Sequence, residues 1–420
     1  MTAVKESTNT GPGQSKKIVL ITSGLPALNP RLVKEADALA DAGYGVTVIY
    51  TYWSDWGAAL NDQLLAGKKW EAIQAGGDPV KKPLVYFVSR LIHKTSRFIV
   101  QKTGQHRYIS ELAIARSAYF LTKETKKHPA DLYIAHNLGA LPTAVKTAAL
   151  YKKLCGFDAE DFHRQEADDD AHSYRHKVIS FIEDKYLPLV NYLTASSPLI
   201  AEKYASLYKR TVPCILNVFP KTNIPPAAPN ENKPLKLFWF SQNLGPKRGL
   251  EIIVEAMGLT RAPVELHLLG NCADGYKQHL LQLAQNFKAD VNALFFYLPI
   301  KADEIFNLAS GFDIGLVSET GFSLNNNIAL SNKLFTYIQS GLAVAASNTS
   351  AQSRLIRQYP QVGKVYNDAA ELAEILNTYS TDRQLLTKTK NDAFKIGQAE
   401  LNWENESHKF LNIINDLLAS

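Results

Sequence analysis

Two short stretches of the sequence place a cation where a helix is predicted to begin. Lys333 follows Ser331 and Asn332 at the head of a run of helically spaced apolar residues, and the pair Lys247-Arg248 precedes another such run. Free backbone N–H groups and the positive end of the helix dipole attract anions at such positions. A lysine in a first turn is unfavourable by itself, so we expect another group to compensate the charge of Lys333. The stretch at Lys333 predicts contacts to a ligand that carries phosphates, and the alternative is a solvated lysine at a helix end. Lys247-Arg248 likewise stands beside free backbone amides.

Carboxylates are crowded in the sequence GFDAEDFHRQE at residues 156–166. Neighbouring carboxylates raise one another's pKa and can act as an acid, a base or a ligand of hydroxyl groups. We single out Glu160 and Asp161 for such a role and expect most of the other charges to be solvated. His136 is a further candidate, because it ends a predicted strand and ligand-binding residues of parallel sheets lie at that end. The alternative for His136 is a structural role.

A metal site is an alternative use of the residues that follow. His172 and His176 are four residues apart and would share one helix face, with Asp168, Asp169 and Asp170 nearby. No second histidine-rich cluster completes such a site. We therefore predict no bound metal and no cofactor.

Alternating strands and helices are predicted to position these residues. The sequence KIVLIT at 17–22 is typical of a buried strand, and a helix at 31–42 and a strand at 46–50 follow it. This succession forms a parallel unit of a doubly wound sheet, in which ligands bind beyond the carboxyl ends of the strands. The loop from Ser23 to Arg31 therefore faces a binding crevice. It lacks the GxGxxG pattern of dinucleotide-binding proteins.

The same alternation restarts after a segment that is rich in proline and asparagine, at 221–233. A strand at 214–218 is predicted to end the first half, and strands at 235–240, 264–269 and 314–317 follow in the second half. We predict a disordered leader at 1–16, an N-terminal domain at 17–220, a linker at 221–233, a C-terminal domain at 234–395 and a terminal helical segment at 396–420.

Composition limits the class of protein. A chain of 420 residues with 46% apolar content suits two globular domains. The sequence has no run of 18 apolar residues and no signal peptide, so we expect a cytoplasmic protein that does not span a membrane. Its 3 cysteines share no metal-binding spacing and fit a reducing compartment. A net charge of +6 does not by itself indicate nucleic-acid binding, and we predict none.

The basic segment at 81–108, KKPLVYFVSRLIHKTSRFIVQKTGQHRY, contains lysines, arginines and apolar residues but no carboxylate. A basic amphipathic helix of this kind can lie on an anionic membrane surface. The alternative is a helix that packs on the N-terminal domain and exposes a solvated basic face. The segment predicts a peripheral position on the inner membrane face as one possibility.

The second half carries a family resemblance in the residues Asp313-Ile-Gly-Leu, Asn332-Lys333-Leu-Phe, Tyr337 and Gly341-Leu-Ala-Val. This pattern resembles the donor-binding motif of the retaining GT-B glycosyltransferases, family four in particular. The resemblance implies an α/β fold of two doubly wound Rossmann-like domains that face one another across a cleft. It also implies that the terminal segment at 396–420 crosses back to the N-terminal domain and that no metal is needed.

The resemblance implies roles for single residues. Arg248 matches the basic residue that holds the donor pyrophosphate, Lys333 would hold it from a second helix, and Glu319 would bond hydroxyls of the donor sugar. These three are the predicted catalytic residues. The predicted donor-binding residues are Gly24, Ser241, Leu298, Ser331, Asn332 and Thr336, and the predicted acceptor-side residues are Arg31, His136, Glu160 and Asp161. The family usually has a ribose-binding glutamate where Thr336 stands. One short hydroxyl cannot span both ribose hydroxyls, so we predict weak discrimination of the ribose unless an asparagine from Asn325 to Asn327 substitutes for the glutamate.

The function implied by this resemblance is sugar transfer from a nucleotide-sugar donor to a glycan or lipid-linked acceptor with anomeric retention, in the synthesis of surface polysaccharide or glycoconjugates. Two alternatives stay open. A GT-B sugar-nucleotide epimerase would share the fold and the cations but would need no acceptor surface. A nucleotide-binding homologue without catalysis is suggested by Thr336. The donor sugar, its base and the acceptor do not follow from the sequence.

Overall fold

A computed structural model describes residues 15–419 apart from 105–107, 168, 230–232 and 303. Residues 1–14 of the predicted disordered leader, and residues 230–232 of the predicted linker, lie outside this part of the chain. Within it, no helix is both long enough and apolar enough to cross a membrane.

Six strands from the first half of the chain form one sheet, in the order β3-β2-β1-β4-β5-β6. They are β1 (Lys17–Thr22), β2 (Gly45–Thr51), β3 (Glu71–Ala75), β4 (Leu132–His136), β5 (Leu154–Ala159) and β6 (Tyr192–Ala195). Strand β1 pairs in parallel with β2 and β4, and β4 pairs in parallel with β5. The order therefore reverses direction between β1 and β4, as in a doubly wound sheet.

The second sheet has the order β12-β11-β10-β7-β8-β9. Its strands are β7 (Leu235–Leu244), β8 (Val264–Cys272), β9 (Leu294–Tyr297), β10 (Ile314–Val317), β11 (Ala343–Ser347) and β12 (Gly363–Tyr366). All of its pairs are parallel, and the order reverses between β7 and β10. The prediction of two doubly wound Rossmann-like domains is confirmed.

Helices connect the strands and cover the sheets. Those up to Tyr208 are α1 (Pro30–Asp41), α2 (Asp55–Leu65), α3 (Pro83–Thr103), α4 (Tyr108–Ile114), α5 (Ala118–Thr125), α6 (Leu141–Tyr151), α7 (Tyr174–Tyr186) and α8 (Pro198–Tyr208). The later ones are α9 (Leu250–Leu259), α10 (Asp274–Asn286), α11 (Glu304–Ser310), α12 (Leu324–Ile328), α13 (Asn332–Ser340), α14 (Ser350–Gln358), α15 (Ala369–Thr381), α16 (Arg383–Ala399) and α17 (Trp403–Ala419).

Alternation along the strands explains why both faces of the second sheet are covered. In β7, Leu235, Leu237 and Trp239 pack into one hydrophobic core, whereas Phe238 packs into another. Successive side chains of a strand point to opposite faces, so these two cores lie on opposite sides of the sheet. Parallel strands that are buried on both faces read as nearly continuous apolar runs, which is why the sequence predicted them well.

Two units share the chain. The first contains the described residues up to Asp158, Val178–Leu193 and the residues from Ile413 onward, and the second contains Ala159–Lys177 and Thr194–Asn412. The units alternate along the sequence, and the exact domain boundaries remain predictions. The role of the terminal helical segment also remains a prediction.

Three local predictions were wrong. Residues 214–218 form no strand and contribute only a single bridge, between Cys214 and Ala195. The polar, asparagine-rich sequence at 319–327 predicts a loop, but it contains the start of the short helix α12. Ser323 caps this helix, and its hydroxyl accepts from the N–H of Asn326. Strand β7 continues to Leu244, past its predicted end, with an irregularity in its pairing between Phe240 and Asn243.

Candidate active site

The reversal of strand order between β7 and β10 defines the candidate site of the second unit. Ligands of doubly wound sheets bind at the carboxyl ends of the strands that flank such a reversal, because the connections leave in opposite directions and open a crevice. Strand β7 leads through residues 245–249 into α9, and β10 leads through residues 318–331 into α13. The two predicted phosphate-binding stretches are therefore the two loops at this crevice.

Lys333 is compensated by Glu319, as the sequence predicted that some group must do. The Lys333 ammonium donates to Glu319 Oε1 over 2.7 Å, and the two side chains are 10% and 14% exposed. The hydroxyl of Ser331 and the amide of Asn326 donate to the same carboxylate, over 3.0 and 3.1 Å. Two of the three predicted catalytic residues thus form a nearly buried ion pair.

The environment of Glu319 keeps it ionised. Burial alone raises the pKa of a carboxyl group, but the charge of Lys333 and the hydrogen bonds from Lys333, Asn326 and Ser331 outweigh it and lower the pKa of Glu319 to about 2. Glu319 is therefore a carboxylate at neutral pH. It can accept hydrogen bonds from hydroxyl groups but cannot act as an acid.

Trp239 lies beneath this ion pair and connects it to the other loop. The Lys333 ammonium is 5.2 Å from the centre of the Trp239 ring, within the range of a cation–π contact. The indole N–H donates to the hydroxyl of Ser318 over 2.9 Å, and this hydroxyl donates to the carbonyl oxygen of Arg248 over 2.7 Å. A chain of direct contacts therefore joins Lys333 to the backbone of Arg248.

The Arg248 side chain is exposed, and within the described part of the chain it has no carboxylate partner. The next residue, Gly249, has φ of +72° and begins α9 without a side-chain cap. A Cβ atom at Gly249 would collide with the Ser318 carbonyl oxygen, so only glycine fits this close approach. The start of α9 therefore offers free N–H groups beside an uncompensated guanidinium, which suits a phosphate.

Helix α12 forms hydrogen bonds to two residues of the carboxylate-rich segment at 156–166, within the second unit. Asn325 accepts from the N–H of Phe162 over 2.7 Å and donates to Asp161 over 2.8 Å, while its neighbour Asn326 donates to Glu319. Burial, and then the charge of Glu166, raise the pKa of Asp161 to about 6. Asp161 and Glu319 are thus joined through two consecutive asparagines, although they have opposite pKa shifts.

Glu160 is only partly exposed, and its carbonyl oxygen accepts from the Ser196 hydroxyl. Its contact to an acceptor remains a prediction, as does that of Asp161.

The other predicted donor-binding residues differ in exposure. Asn332 is exposed and accepts from the amide of Asn217 over 3.2 Å. Thr336 is buried, and its hydroxyl donates back to the carbonyl of Asn332 within α13. Ser241 lies inside β7 at the irregular pairing, not in a loop after the strand, and Leu298 is exposed directly after the edge strand β9. Their roles toward a donor remain predictions.

The first unit has its own reversal of strand order, between β1 and β4. The amide oxygen of Asn137 accepts from the hydroxyl of Ser23 over 2.7 Å, and its NH₂ group donates to the hydroxyl of Thr22, also over 2.7 Å. Gly24 follows directly, partly exposed, at the carboxyl end of β1. Its predicted position in a crevice loop agrees with this topology.

Arg31 and His136 lie below that crevice in a fully buried cluster. The Arg31 guanidinium makes a two-pronged ion pair with Asp158, and His136 Nε2 lies 3.1 Å from Glu35 Oε2. Burial and the charge of Asp158 raise the pKa of Glu35. Because Arg31 and His136 have no exposed surface, they hold the sheet and the first helix together in this structure, and an acceptor would reach them only after a rearrangement.

Two groups of residues are candidates for binding a metal ion. His172 precedes α7, which begins at Tyr174, so His172 and His176 do not share a helix as the alternative required. Asp168 of that alternative lies outside the described residues. Among the residues described, Glu35, His136 and Asp158 come close enough together to ligate a cation. Arg31 already holds Asp158 there, so the donor set does not favour a metal ion.

Two sheets of this kind define the fold of the GT-B glycosyltransferases, and solved structures of that fold match almost the whole chain. HepE from Anabaena, crystallised with UDP and glucose, is 15% identical, with 96% of this chain and 100% of that chain covered and a TM-score of 0.68. The sucrose-phosphate synthase of Thermosynechococcus elongatus is 15% identical, with 96% and 99% covered and a TM-score of 0.69. TarM is 10% identical, with 98% and 100% covered and a TM-score of 0.69. No protein-family model and no curated protein sequence matches the chain.

Sequence reasoning missed Trp239 and Ser318. Trp239 reads as an ordinary core residue of a strand, and Ser318 as the first polar residue after one. Only the parallel pairing of β7 with β10 brings them together, so no local signal identifies them.

Proposed function

We propose that this protein is a glycosyltransferase that transfers a sugar from a nucleoside diphosphate sugar to a hydroxyl acceptor with retention of the anomeric configuration. The observation that carries the proposal is a pair of cations at two helix starts, on the two sides of the strand reversal. Arg248 lies two residues before α9, and Lys333 is the second residue of α13. HepE, whose fold is similar, was crystallised with UDP, with UDP and glucose, and with UDP-glucose. A uridine nucleotide is therefore the first donor to test.

The chemistry assigned to the two cations is stabilisation of the leaving group. As the bond between the anomeric carbon and the phosphate oxygen breaks, negative charge develops on the diphosphate. Preorganised cations and helix N–H groups stabilise that charge more than they stabilise the bound substrate. In this proposal, neither the breaking of that bond nor the stabilisation of the charge requires a metal ion at the diphosphate.

The two cations would contribute differently. Lys333 is held by Glu319 and reaches the ligand as part of an almost neutral pair, whereas Arg248 is exposed and offers its whole charge. We assign to Arg248 the stronger attraction for the incoming donor and to Lys333 a fixed position beside the breaking bond. Glu319 is ionised and would accept hydrogen bonds from hydroxyls of the donor sugar.

Retention would follow from attack on the same face as the leaving group. Among the described residues of the two crevice loops, the one carboxylate is Glu319, which Lys333, Ser331 and Asn326 already hold. We therefore propose that no covalent intermediate forms and that the acceptor oxygen bonds to the anomeric carbon as the diphosphate departs. The acceptor hydroxyl would give its proton to the departing phosphate oxygen, which balances the exchange. The acceptor proposed is a glycan or a lipid-linked sugar in surface polysaccharide or glycoconjugate synthesis, reached from a peripheral position on a membrane.

A nucleotide-binding protein without turnover is the second candidate. The buried Thr336, whose hydroxyl is already bonded within α13, favours it because no carboxylate is available there for the ribose. The second candidate would be supported over the first if a nucleoside diphosphate binds and neither sugar transfer nor slow hydrolysis of the donor is detected.

A thermal-stability screen of nucleotide sugars tests the proposal. A ligand at 100 times its dissociation constant stabilises the folded state by about 2.7 kcal/mol, which shifts the melting temperature measurably. We expect a nucleoside diphosphate sugar to stabilise the wild type and the control Arg261→Ala, which alters an exposed arginine of the same unit. Arg248→Ala should lose most of this shift. No stabilisation by any member of the screen would contradict the proposal.

A further inference from the structure

Helix α3 packs on the protein with one face and exposes apolar residues on the opposite face. Its inner face is buried and includes Ser89, Ser96 and Val100. Its outer face carries Leu84, Phe87, Leu91 and Phe98, which are 78%, 75%, 60% and 60% exposed. Spacings of three, four and seven residues align these four side chains along one stripe of the helix. We call this row of side chains the outer stripe. A surface helix normally turns polar residues to the solvent, so the outer stripe indicates a surface that binds a partner.

Basic residues accompany the outer stripe. Lys82, Lys94, Arg97 and Lys102 are all exposed. Within the described part of the chain, these four have no carboxylate within ion-pair distance, and α3 itself contains no acidic residue. Lys94 and Lys102 lie three or four residues from Leu91 and Phe98, so the helix presents these two uncompensated cations on the side of the outer stripe.

An exposed tryptophan follows a residue that contacts α3. The buried ring of Tyr52 contacts that of Tyr86 in α3, with 5.6 Å between ring centres in an edge-to-face arrangement. Trp53 comes next in the chain and is 45% exposed, with Arg116 stacked 4.3 Å from its ring centre. Tryptophan and tyrosine favour the boundary between lipid headgroups and acyl chains.

We propose that the outer stripe of α3 docks on the surface of an anionic lipid leaflet, with its apolar side chains inserted and its lysines and arginine among the headgroups. Lipid satisfies both properties at once, because acyl chains accept the apolar residues and anionic headgroups pair with the cations. Since the opposite face is packed on the protein, the helix lies flat on the membrane and does not cross it.

The other occupants fit less well. A second copy of this chain would bring the same uncompensated cations to a two-fold contact, where like charges repel. A nucleic acid would pair with the cations but would leave the outer stripe in water. Lipid is therefore the occupant that we propose. That the leaflet also carries the acceptor rests on the proposed function, whereas the docking surface does not.

Vesicle flotation of the full chain tests this surface. We expect vesicles of phosphatidylcholine mixed with phosphatidylglycerol to bind the protein more than about tenfold better than phosphatidylcholine alone, with a loss at high salt. The charge variant Lys82→Gln, Lys94→Gln, Arg97→Gln and Lys102→Gln should weaken binding by more than about tenfold. The apolar variant Leu84→Gln, Phe87→Gln and Leu91→Gln keeps every charge and should also weaken it by more than about tenfold.

Matched controls distinguish this surface from general stickiness. Lys123→Gln, Lys126→Gln, Lys152→Gln and Lys203→Gln remove the same number of exposed positive charges elsewhere, and Leu150→Gln, Leu189→Gln and Leu207→Gln remove exposed leucines elsewhere. Both sets should bind vesicles as the wild type does. Circular dichroism and the melting temperature verify that each variant is folded.

Three outcomes would overturn the inference. In the first, the wild type does not bind anionic vesicles at low salt. In the second, the control variants lose as much vesicle binding as the α3 variants. In the third, the wild type is a dimer that only the apolar variant dissociates. Calorimetric titration of the same preparations with UDP, GDP, ADP, CDP and dTDP separates the two proposals. Nucleotide binding without vesicle binding refutes the docking surface alone. Vesicle binding without binding of any of these nucleotides leaves the docking surface standing and refutes the proposed function.

Discussion

Replacing Lys333 by methionine isolates the ion pair at the centre of the site. The substitution keeps a long, flexible side chain against the Trp239 ring and removes the ammonium that lies 2.7 Å from Glu319. Glu319 then remains as a nearly buried carboxylate with only the neutral donors Ser331 and Asn326. We expect both stability and catalysis to decrease, for separate reasons.

The effect on stability can be worked out from the pKa of Glu319. The folded protein lowers this pKa to about 2 from an ordinary value of 4.5, which corresponds to about 3 kcal/mol of stabilisation at neutral pH. A lowered carboxyl pKa gives stability that is complete above the unfolded pKa and is lost as the pH falls through the folded pKa. Without Lys333, burial dominates and raises the pKa of Glu319 above its ordinary value, so the unfavourable charge disappears on acidification.

Urea unfolding at a series of pH values measures this difference. At pH 7 we expect Lys333→Met to be about 3 kcal/mol less stable than the wild type, with a smaller difference at pH 4. The double variant Lys333→Met with Glu319→Gln should recover much of the loss, because a neutral amide no longer needs the cation.

Two results would refute this reasoning. One is a Lys333→Met variant as stable as the wild type at neutral pH, and the other is a loss of stability that grows on acidification. A double variant that is less stable than Lys333→Met alone would show that the hydrogen bonds of Glu319, and not its charge, stabilise the site.

Three further predictions follow from the geometry. Arg248→Ala should lower turnover by the equivalent of about 2–4 kcal/mol, because the leaving diphosphate loses a cation. Stability should change little, because the side chain is exposed. Steady-state kinetics of this variant beside the control Arg261→Ala measures the change in turnover. Asp161→Asn should stabilise the protein by about 3 kcal/mol at pH 8 and not at pH 3. The reason is that stability linked to the raised pKa of Asp161, about 6, is present below the ordinary 3.8 and is lost as the pH rises through about 6. Unfolding at the two pH values measures this change, and equal effects at both would contradict it. Asn325→Ala should cost about 2–3 kcal/mol of unfolding free energy, because it removes the partners of Phe162 N–H and Asp161, and a loss below about 0.5 kcal/mol would show that neither bond matters.

The sequence predicted the fold well because the strands of parallel sheets are buried on both faces. The run at 314–317 is wholly apolar and wholly buried, as expected for a central strand. Strand β5 was not predicted, because its sequence LCGFDA ends near carboxylates that suggest an exposed loop. Asp158 is tolerated inside this strand only because Arg31 neutralises it from a helix more than a hundred residues earlier in the chain. Such a pairing is invisible before the fold is known.

The candidate site was predicted in part. Helix-start chemistry identified Lys333 and Arg248, and the unfavourable charge of Lys333 predicted that a compensating group exists. The partner of Lys333, Glu319, and the supporting Trp239 depend on the distances between two loops and two strands, which the sequence does not determine. The burial of Arg31 and His136 was missed for the same reason, since each is typical of a crevice residue when only its position in the chain is known.

The central claim is that a diphosphate binds at the strand reversal of the second sheet, between Arg248 and Lys333. Calorimetric titration of UDP, GDP, ADP, CDP and dTDP into the wild type, Arg248→Ala and Arg261→Ala tests it most directly. We predict that at least one of these nucleotides binds the wild type and Arg261→Ala equally and binds Arg248→Ala more weakly by about 1.5–3 kcal/mol, the contribution of a hydrogen bond to a charged group. Equal affinity of all three proteins for the nucleotide that binds, or no binding of any nucleotide to the wild type, would contradict the claim.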